Sequence, residues 1–380
     1  MKIGILTFQY AINYGAVLQL YSLQKSLKDL GYDTEIINYI PNDFNINSIR
    51  SILRNSGLKN RNSTLKAIAN RVILNLKYQN KLFSSFKKFS DDNFNLSSLC
   101  NDDNWEDAFE KYDAIVVGSD QVWNPTNQLG KVYFLDSDKL MCERIAYAAD
   151  STSQNVRRED IDRLKNALLK FSAVSVRNIH SQKFVQKITG NEPQIVADPV
   201  VLNDFSEFCK KSKLTEKYAF VYLLGKEING GHTAAIQSIK NKYPDIKIYQ
   251  AVMLKQNEFT VLDDADRLIC DCTPDEWLNL IYNSEFVYTD SFHCILFSLK
   301  FHKKFLSYYA DELRAPRLIA LKNQYNLGSR IVSSVDDISK LSSLDYELNF
   351  SDIDDIFAHQ KEESIKFLKS SMKGENKSNG

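Results

Sequence analysis

Short apolar runs alternate with longer segments whose apolar residues recur every three or four positions. Lys2-Ile-Gly-Ile-Leu-Thr-Phe8 reads as a buried strand ending in a polar turn, Gln9 to Gly15. Val17, Leu18, Tyr21, Leu23, Leu27 and Leu30 then fall on or near one helical face, with Gly31 as the stop signal. Asp33-Thr-Glu-Ile-Ile-Asn-Tyr39 is a second strand. A strand-turn-helix-strand opening of this kind builds a parallel sheet. Further strands are predicted at Ala114–Val117, Arg144–Ala149, Ala173–Val176 and Gln194–Leu202, with helices over about 158–170 and 179–189. From Tyr218 the alternation begins again: strands at 218–224, 246–252, 285–288 and 304–308, helices at 232–242, 274–283, from about 290, and at 315–325. The expected layout is an α/β domain over 1–202, a second over 203–345, a terminal helix within 346–372 and a disordered polar tail, 373–380.

One region breaks this rhythm. Between Phe44 and Ser90 there is no Asp or Glu, while Lys and Arg occur at 50, 54, 59, 61, 66, 71, 77, 81, 87 and 88 among apolar residues. It reads as a basic helical insertion in the first domain. It is either a solvated face with local packing or a contact for an anionic surface, lipid headgroups or a diphosphate-linked acceptor.

Composition narrows the picture further. The 380 residues carry 48 Lys and Arg against 48 Asp and Glu, so no global field attracts nucleic acid. No apolar run approaches the roughly 20 residues that span a bilayer, and Met1-Lys2 leads straight into a strand without a signal-peptide pattern. Six scattered cysteines do not form a disulfide framework. The expected setting is cytoplasmic, with peripheral contact at the inner face of the membrane through 44–90. Cys270-Asp-Cys272 is a lone pair without further ligands, so no metal is expected.

Candidate chemistry collects where predicted strands end. His293, in Tyr288-Thr-Asp-Ser-Phe-His293, sits in the first turn of a helix just past a strand, where free N–H groups and the helix dipole suit an anion. Asp120 follows the strand at 114–117, and Arg177 ends the strand at 173–176. Asn13-Tyr14-Gly15 is either a tight strand-to-helix connection or part of a ligand cleft. Trp123 is either a loop anchor or a stacking platform for a sugar.

Five stretches, in order, resemble the polysaccharide pyruvyl transferase family: Phe8-Gln-Tyr-Ala-Ile-Asn-Tyr-Gly-Ala-Val-Leu-Gln19, Gly118-Ser-Asp-Gln-Val-Trp-Asn124, Ser175-Val-Arg177, Ala197-Asp-Pro-Val200 and Thr289-Asp-Ser-Phe-His293. The resemblance implies two Rossmann-like domains in a GT-B-like arrangement with the active site between them. It implies transfer of a pyruvyl group from phosphoenolpyruvate to a sugar of a cell-surface polysaccharide or its lipid-linked precursor, as a cyclic ketal, with no cofactor beyond the donor substrate. Two positions depart from the pattern: Asn178 where an acid often follows the Arg, and Cys294 where a Gly commonly follows the His, adding a side chain beside it.

On that reading Arg177 grips the donor's carboxylate or phosphate with its planar fork. Arg317 is the second anion-binding candidate, with Arg314 a close competitor. Ser291 and the N–H groups at the start of the same helix take further oxygens. His293 is the acid that protonates the enol carbon, or the cation that holds the phosphate. Asp120 is the base for the acceptor hydroxyl, and Asn13 and Tyr14 contact donor or acceptor. The competing readings are a GT-B glycosyltransferase using a nucleotide sugar and a glycan-binding relative without chemistry.

Overall fold

The computed structural model describes residues 1–42, 44, 65–124, 130–151, 156–211, 216–225, 230–254, 259–309, 315–340 and 348–372. Two six-stranded, wholly parallel sheets organise them. The first contains β1 (Lys2–Leu6), β2 (Asp33–Ile36), β3 (Ala114–Val117), β4 (Glu143–Ala149), β5 (Ala173–Val176) and β6 (Gln194–Ile195), in the order β2-β1-β3-β4-β5-β6. The second contains β7 (Tyr218–Leu223), β8 (Lys247–Val252), β9 (Arg267–Ile269), β10 (Phe286–Thr289), β11 (Lys304–Tyr308) and β12 (Ile331–Val332), in the order β12-β11-β10-β7-β8-β9.

The unbroken apolar runs explain the choice of fold. Every residue of β3, β7 and β10 is buried, as expected for parallel strands covered by helices on both faces. The order reverses once in each sheet, between β1 and β3 and between β7 and β10. Loops diverge at such switch points and leave a crevice at the carboxyl ends of the strands. The helices that follow these strands are α1 (Tyr14–Asp29) after β1 and, after β10, the helix Phe292–Lys300.

In chain order the remaining helices are α2 (Leu65–Asn93), α3 (Trp105–Phe109), α4 (Ile161–Leu168), α5 (Ile179–Thr189), α6 (Gly231–Lys242) and α7 (Pro274–Tyr282). Phe292–Lys300 is α8, followed by α9 (Ala315–Gln324), α10 (Val335–Lys340) and α11 (Phe350–Met372). One hydrophobic cluster runs through both halves of the chain, joining Tyr14, Val17 and Leu18 of α1 to Trp277, Leu278 and Leu296. Tyr14 stacks on Trp277 with centroids 5.3 Å apart and planes 9° from parallel. Such a pair adds about 0.5–1.5 kcal/mol to the burial of its area.

One element differs from the sequence reading, and two others gain detail. The strand predicted over Gln194–Leu202 ends at Ile195. Pro199 has no N–H for the ladder, and the Asp198 side chain turns back to accept from Val200 N at 3.0 Å. The basic insertion, from Leu65 on, is a single helix whose inner face packs on the core cluster shared by the halves; residues 45–64 of it lie outside the described residues. The terminal helix α11 returns to the first sheet: Phe367, Leu368 and Met372 pack with Ile3, Ile5 and Leu20. Ser364 Oγ on that helix accepts from Ala197 N at 2.9 Å. The tail, 373–380, lies outside the described residues.

Candidate active site

Two helix starts face each other where the switch points meet. On the second sheet, Ser291 is the N-cap of α8, its Oγ accepting from Cys294 N at 3.4 Å. The loop beneath is fixed by Asp290, whose two carboxylate oxygens accept from Leu224 N and Gly225 N, both at 2.6 Å. That carboxylate ties the β10 loop to the β7 loop at the switch point. On the first sheet, Asn13 caps α1 by accepting from Ala16 N at 3.2 Å.

His293 reaches across this junction. A Cβ placed on Gly15 would lie 2.3 Å from His293 Nδ1, so the imidazole rests directly on the α1 backbone. Only glycine leaves room for it. On its other side, His293 Nε2 is 3.4 Å from Asp198 Oδ2. That is an ion-pair distance, yet no hydrogen bond closes on this buried nitrogen among the described residues. The ring is nearly enclosed, with 7% of the residue exposed.

Asp198 leads into a buried charged cluster at the ends of β4, β5 and β6. Arg177 Nη1 donates to Asp198 Oδ2 at 2.9 Å, and its Nη2 donates to Asp150 Oδ2. The guanidinium carbon lies 4.5 Å from the centroid of the Phe292 ring, beside His293. Asp150 also accepts from Asn178 Nδ2 at 2.9 Å and Ser181 Oγ at 2.8 Å. The first of the two departures has a physical role in this cluster. Asn178 donates to Asp150 while its own oxygen caps α5 at Ser181 N, 3.0 Å away. An acid at this position would set two carboxylates against each other.

The charges in this cluster hold one another. Burial pushes the Asp150 carboxyl up, but Arg177 and then Arg317 outweigh it and hold its pKa at about 2. Burial likewise opposes ionisation of Asp198, and the neighbouring His293 and Arg177 hold it well below the usual carboxylate range. Burial works against the Arg177 cation too, and Asp150, Asp198 and Asp120 keep it charged.

Most of the expected site residues lie in or beside this cluster. Arg177 is less open than expected: its Nη1 and Nη2 are held by Asp198 and Asp150, its buried Nε has no hydrogen-bond partner among the described residues, and the residue is 3% exposed. The sequence placed Arg177 at a strand end but did not show that two other strand ends meet it. Tyr14 is also more enclosed than expected. It is fully buried, with its hydroxyl donating to Cys272 O at 3.2 Å, and it forms part of the seam between the two halves. Cys294 is turned into the same core and does not line the space beside His293. Trp123 is a loop anchor, fully buried against Phe134, with Nε1 donating to Tyr133 O at 3.0 Å.

Asp120 and Arg317 border the half-buried edge of the cluster. Asp120 has φ +83°, its Oδ1 accepting from Gln121 N at 2.8 Å and its carbonyl from Asp150 N at 2.9 Å. Arg317, at the start of α9, reaches the first domain: with the Gln121 amide oxygen facing it, Nη2 donates at 2.9 Å. Arg314 lies outside the described residues. Asp150 and Asp198 received no role from sequence reasoning. Placement could have signalled Asp150, which follows β4 directly as Arg177 follows β5; Asp198 was hidden inside the overlong strand predicted to Leu202 and lies three residues past the end of β6.

Comparison with known proteins agrees with this architecture. The solved structure of a candidate UDP-N-acetylglucosamine 2-epimerase from Listeria monocytogenes superposes with TM-score 0.51 at 11% identity, covering 98% of this chain and 95% of that one. Arabidopsis thaliana UGT89C1 complexed with UDP-L-rhamnose gives TM-score 0.51 at 9% identity, covering 97% of both chains. At these identities the likeness is one of fold, the GT-B-like pairing of two parallel-sheet domains. No curated protein sequence matched the chain. Among the described residues no helix is long and apolar enough to cross a membrane, and no group of three or more His, Cys, Asp or Glu could hold a metal ion. The family model for polysaccharide pyruvyl transferase matches residues 13–312, most of the length, and the chain belongs to that family.

Proposed function

We propose that this protein transfers the pyruvyl group of phosphoenolpyruvate to a sugar of a polysaccharide or its lipid-linked precursor, forming a pyruvate ketal. The observation that carries the reading is His293. It is a titratable group at a helix N-terminus, set against the α1 backbone and 3.4 Å from a buried carboxylate of the opposite domain.

The residues suggest this division of labour. The start of α8, with its cap Ser291, offers N–H groups and a partial positive charge to the donor's anionic groups. Arg317 adds a cation at the edge. His293 gives its proton to C3 of the enol, and C2 becomes oxocarbenium-like. One acceptor hydroxyl adds to C2, losing its proton to Asp120. The C2–O bond to phosphate then breaks with its electron pair. A second hydroxyl closes the ketal; one of the two released protons restores His293 and the other leaves on phosphate. Asp198 is the positioning residue for His293, and Arg177 and Asp150 position Asp198. Proton transfer by a placed side chain is worth about 10²–10⁴-fold.

The test is incubation with phosphoenolpyruvate and a panel of lipid-linked and free glycans, following phosphate release and the ketal methyl resonance. Acceptor-dependent release with one new ketal methyl is expected, and His293→Gln should lower the rate about 10²–10⁴-fold. Consumption of a nucleotide sugar, with phosphoenolpyruvate untouched, would overturn the reading in favour of a glycosyltransferase. Wild-type glycan binding retained by His293→Gln, with no turnover by either protein, would favour a binding protein.

A further inference from the structure

The helix α2 presents two unlike faces. Its inner face is buried: Leu74, Leu82, Phe86 and Phe89 join the cluster that contains Trp277 and Cys270 of the second domain. Arg71 Nε donates to Phe259 O at 2.9 Å, and Ser85 Oγ donates to Asp271 O at 2.6 Å. The helix therefore lies flat against the body, and its orientation is fixed.

Its outer face carries Ala69, Asn70, Ile73, Leu76, Lys77, Asn80, Lys81, Ser84, Lys87 and Lys88, all exposed. At 3.6 residues per turn these positions share one stripe roughly 140° wide. Ile73 is 59% exposed and Leu76 69%. Two large apolar side chains one turn apart are more than the single exposed residues common on any surface. The stripe is graded, apolar in its N-terminal part and cationic from Lys77 on. There is no acid on the helix before Asp91, which pairs with Lys87 at 2.7 Å.

We propose that this outer face of α2 is a docking surface for an anionic lipid bilayer. An interfacial helix buries apolar side chains at the acyl boundary while lysines meet the headgroups. The α2 stripe has both parts, on a helix already held parallel to a surface. Lysines on flexible stems suit a fluid array of charges better than one shaped protein partner. The inference stands apart from the proposed chemistry, because none of these residues touches the cleft.

The test is flotation of the full chain with phosphatidylcholine vesicles and with phosphatidylcholine–phosphatidylglycerol vesicles. Binding to the anionic vesicles alone is expected, weakening as salt rises. Each lysine near such a surface is worth about 5-fold in partitioning. The pair K77Q/K81Q should therefore lower binding roughly 30-fold. I73S/L76S should lower binding while leaving the salt dependence in place. Thermal unfolding of both variants should stay close to the wild type, since the changed side chains are exposed and K77Q/K81Q loses only two exposed contacts, those of Lys77 and Lys81 over the Tyr78 ring. No flotation with anionic vesicles, equal flotation with both vesicle types, or wild-type flotation by both variants would each overturn the proposal.

Discussion

Arg177 and the lysines of α2 are the same charge in two settings. Arg177 is 3% exposed and pinned between two buried carboxylates, over an aromatic ring. Lys77, Lys81 and Lys88 stand in solvent, and the Lys87 partner Asp91 is 55% exposed on its side chain. Inside the cluster every charge is desolvated, and each depends on its partners to remain ionised. On α2 water does that work, and the charges are left available to an external surface. A basic residue in a sequence is thus two different objects, and burial decides which.

The contrast is sharpest for stability. Arg177→Ala leaves Asp150 and Asp198 buried without their cation and should cost about 3–5 kcal/mol, read from denaturant unfolding. A loss below 1 kcal/mol would mean that the cluster is open to water and that the contrast fails.

Gly15→Ala probes the junction without touching any charge. The new methyl needs the space of the imidazole, so His293 must move away from Asp198. A misplacement of this size costs about 10²-fold in turnover, with a smaller stability loss of about 1–3 kcal/mol. Activity equal to wild type would show that the α1 backbone does not hold the ring.

Acid should dissolve the cluster first. Asp150 has its folded pKa depressed from 3.8 to about 2, so its stabilisation is present above the unfolded value and is lost as pH falls. The window runs from just above pH 4 down to about 2, and the loss is about 2 kcal/mol. Melting curves across that range should fall more steeply for wild type than for Asp150→Asn. Parallel curves would sink the assignment. At the small end, K77Q/K81Q removes two exposed cation–π contacts with Tyr78 and should change unfolding free energy by no more than about 1 kcal/mol, although it alters flotation strongly.

The parallel α/β scaffold was legible because fully buried strands write themselves as unbroken apolar runs, as Ala114–Val117 and Tyr218–Leu223 do. Short edge strands were not: β9 and β12 have three and two residues, too few for a period to register. His293, Arg177, Asp120 and Arg317 were visible as polar groups beside strand ends or at helix starts. Tyr14 could not be assigned from position. Its ring and hydroxyl find partners in Trp277 and Cys272, more than 250 residues away along the chain.

The sequence alone determined the two βα halves, the helix start that carries His293, and the acid-free stretch whose later part lies in α2. These are local matters of apolar period, capping residue and charge composition. Tertiary structure decided that Asp150, Arg177 and Asp198 meet His293, that Arg177 is neutralised, and that α2 turns its lysines outward. Those outcomes depend on which strand ends become neighbours and on how deeply each charge is desolvated. Both quantities are set by packing between segments far apart in the chain, and neither is written in any one of them.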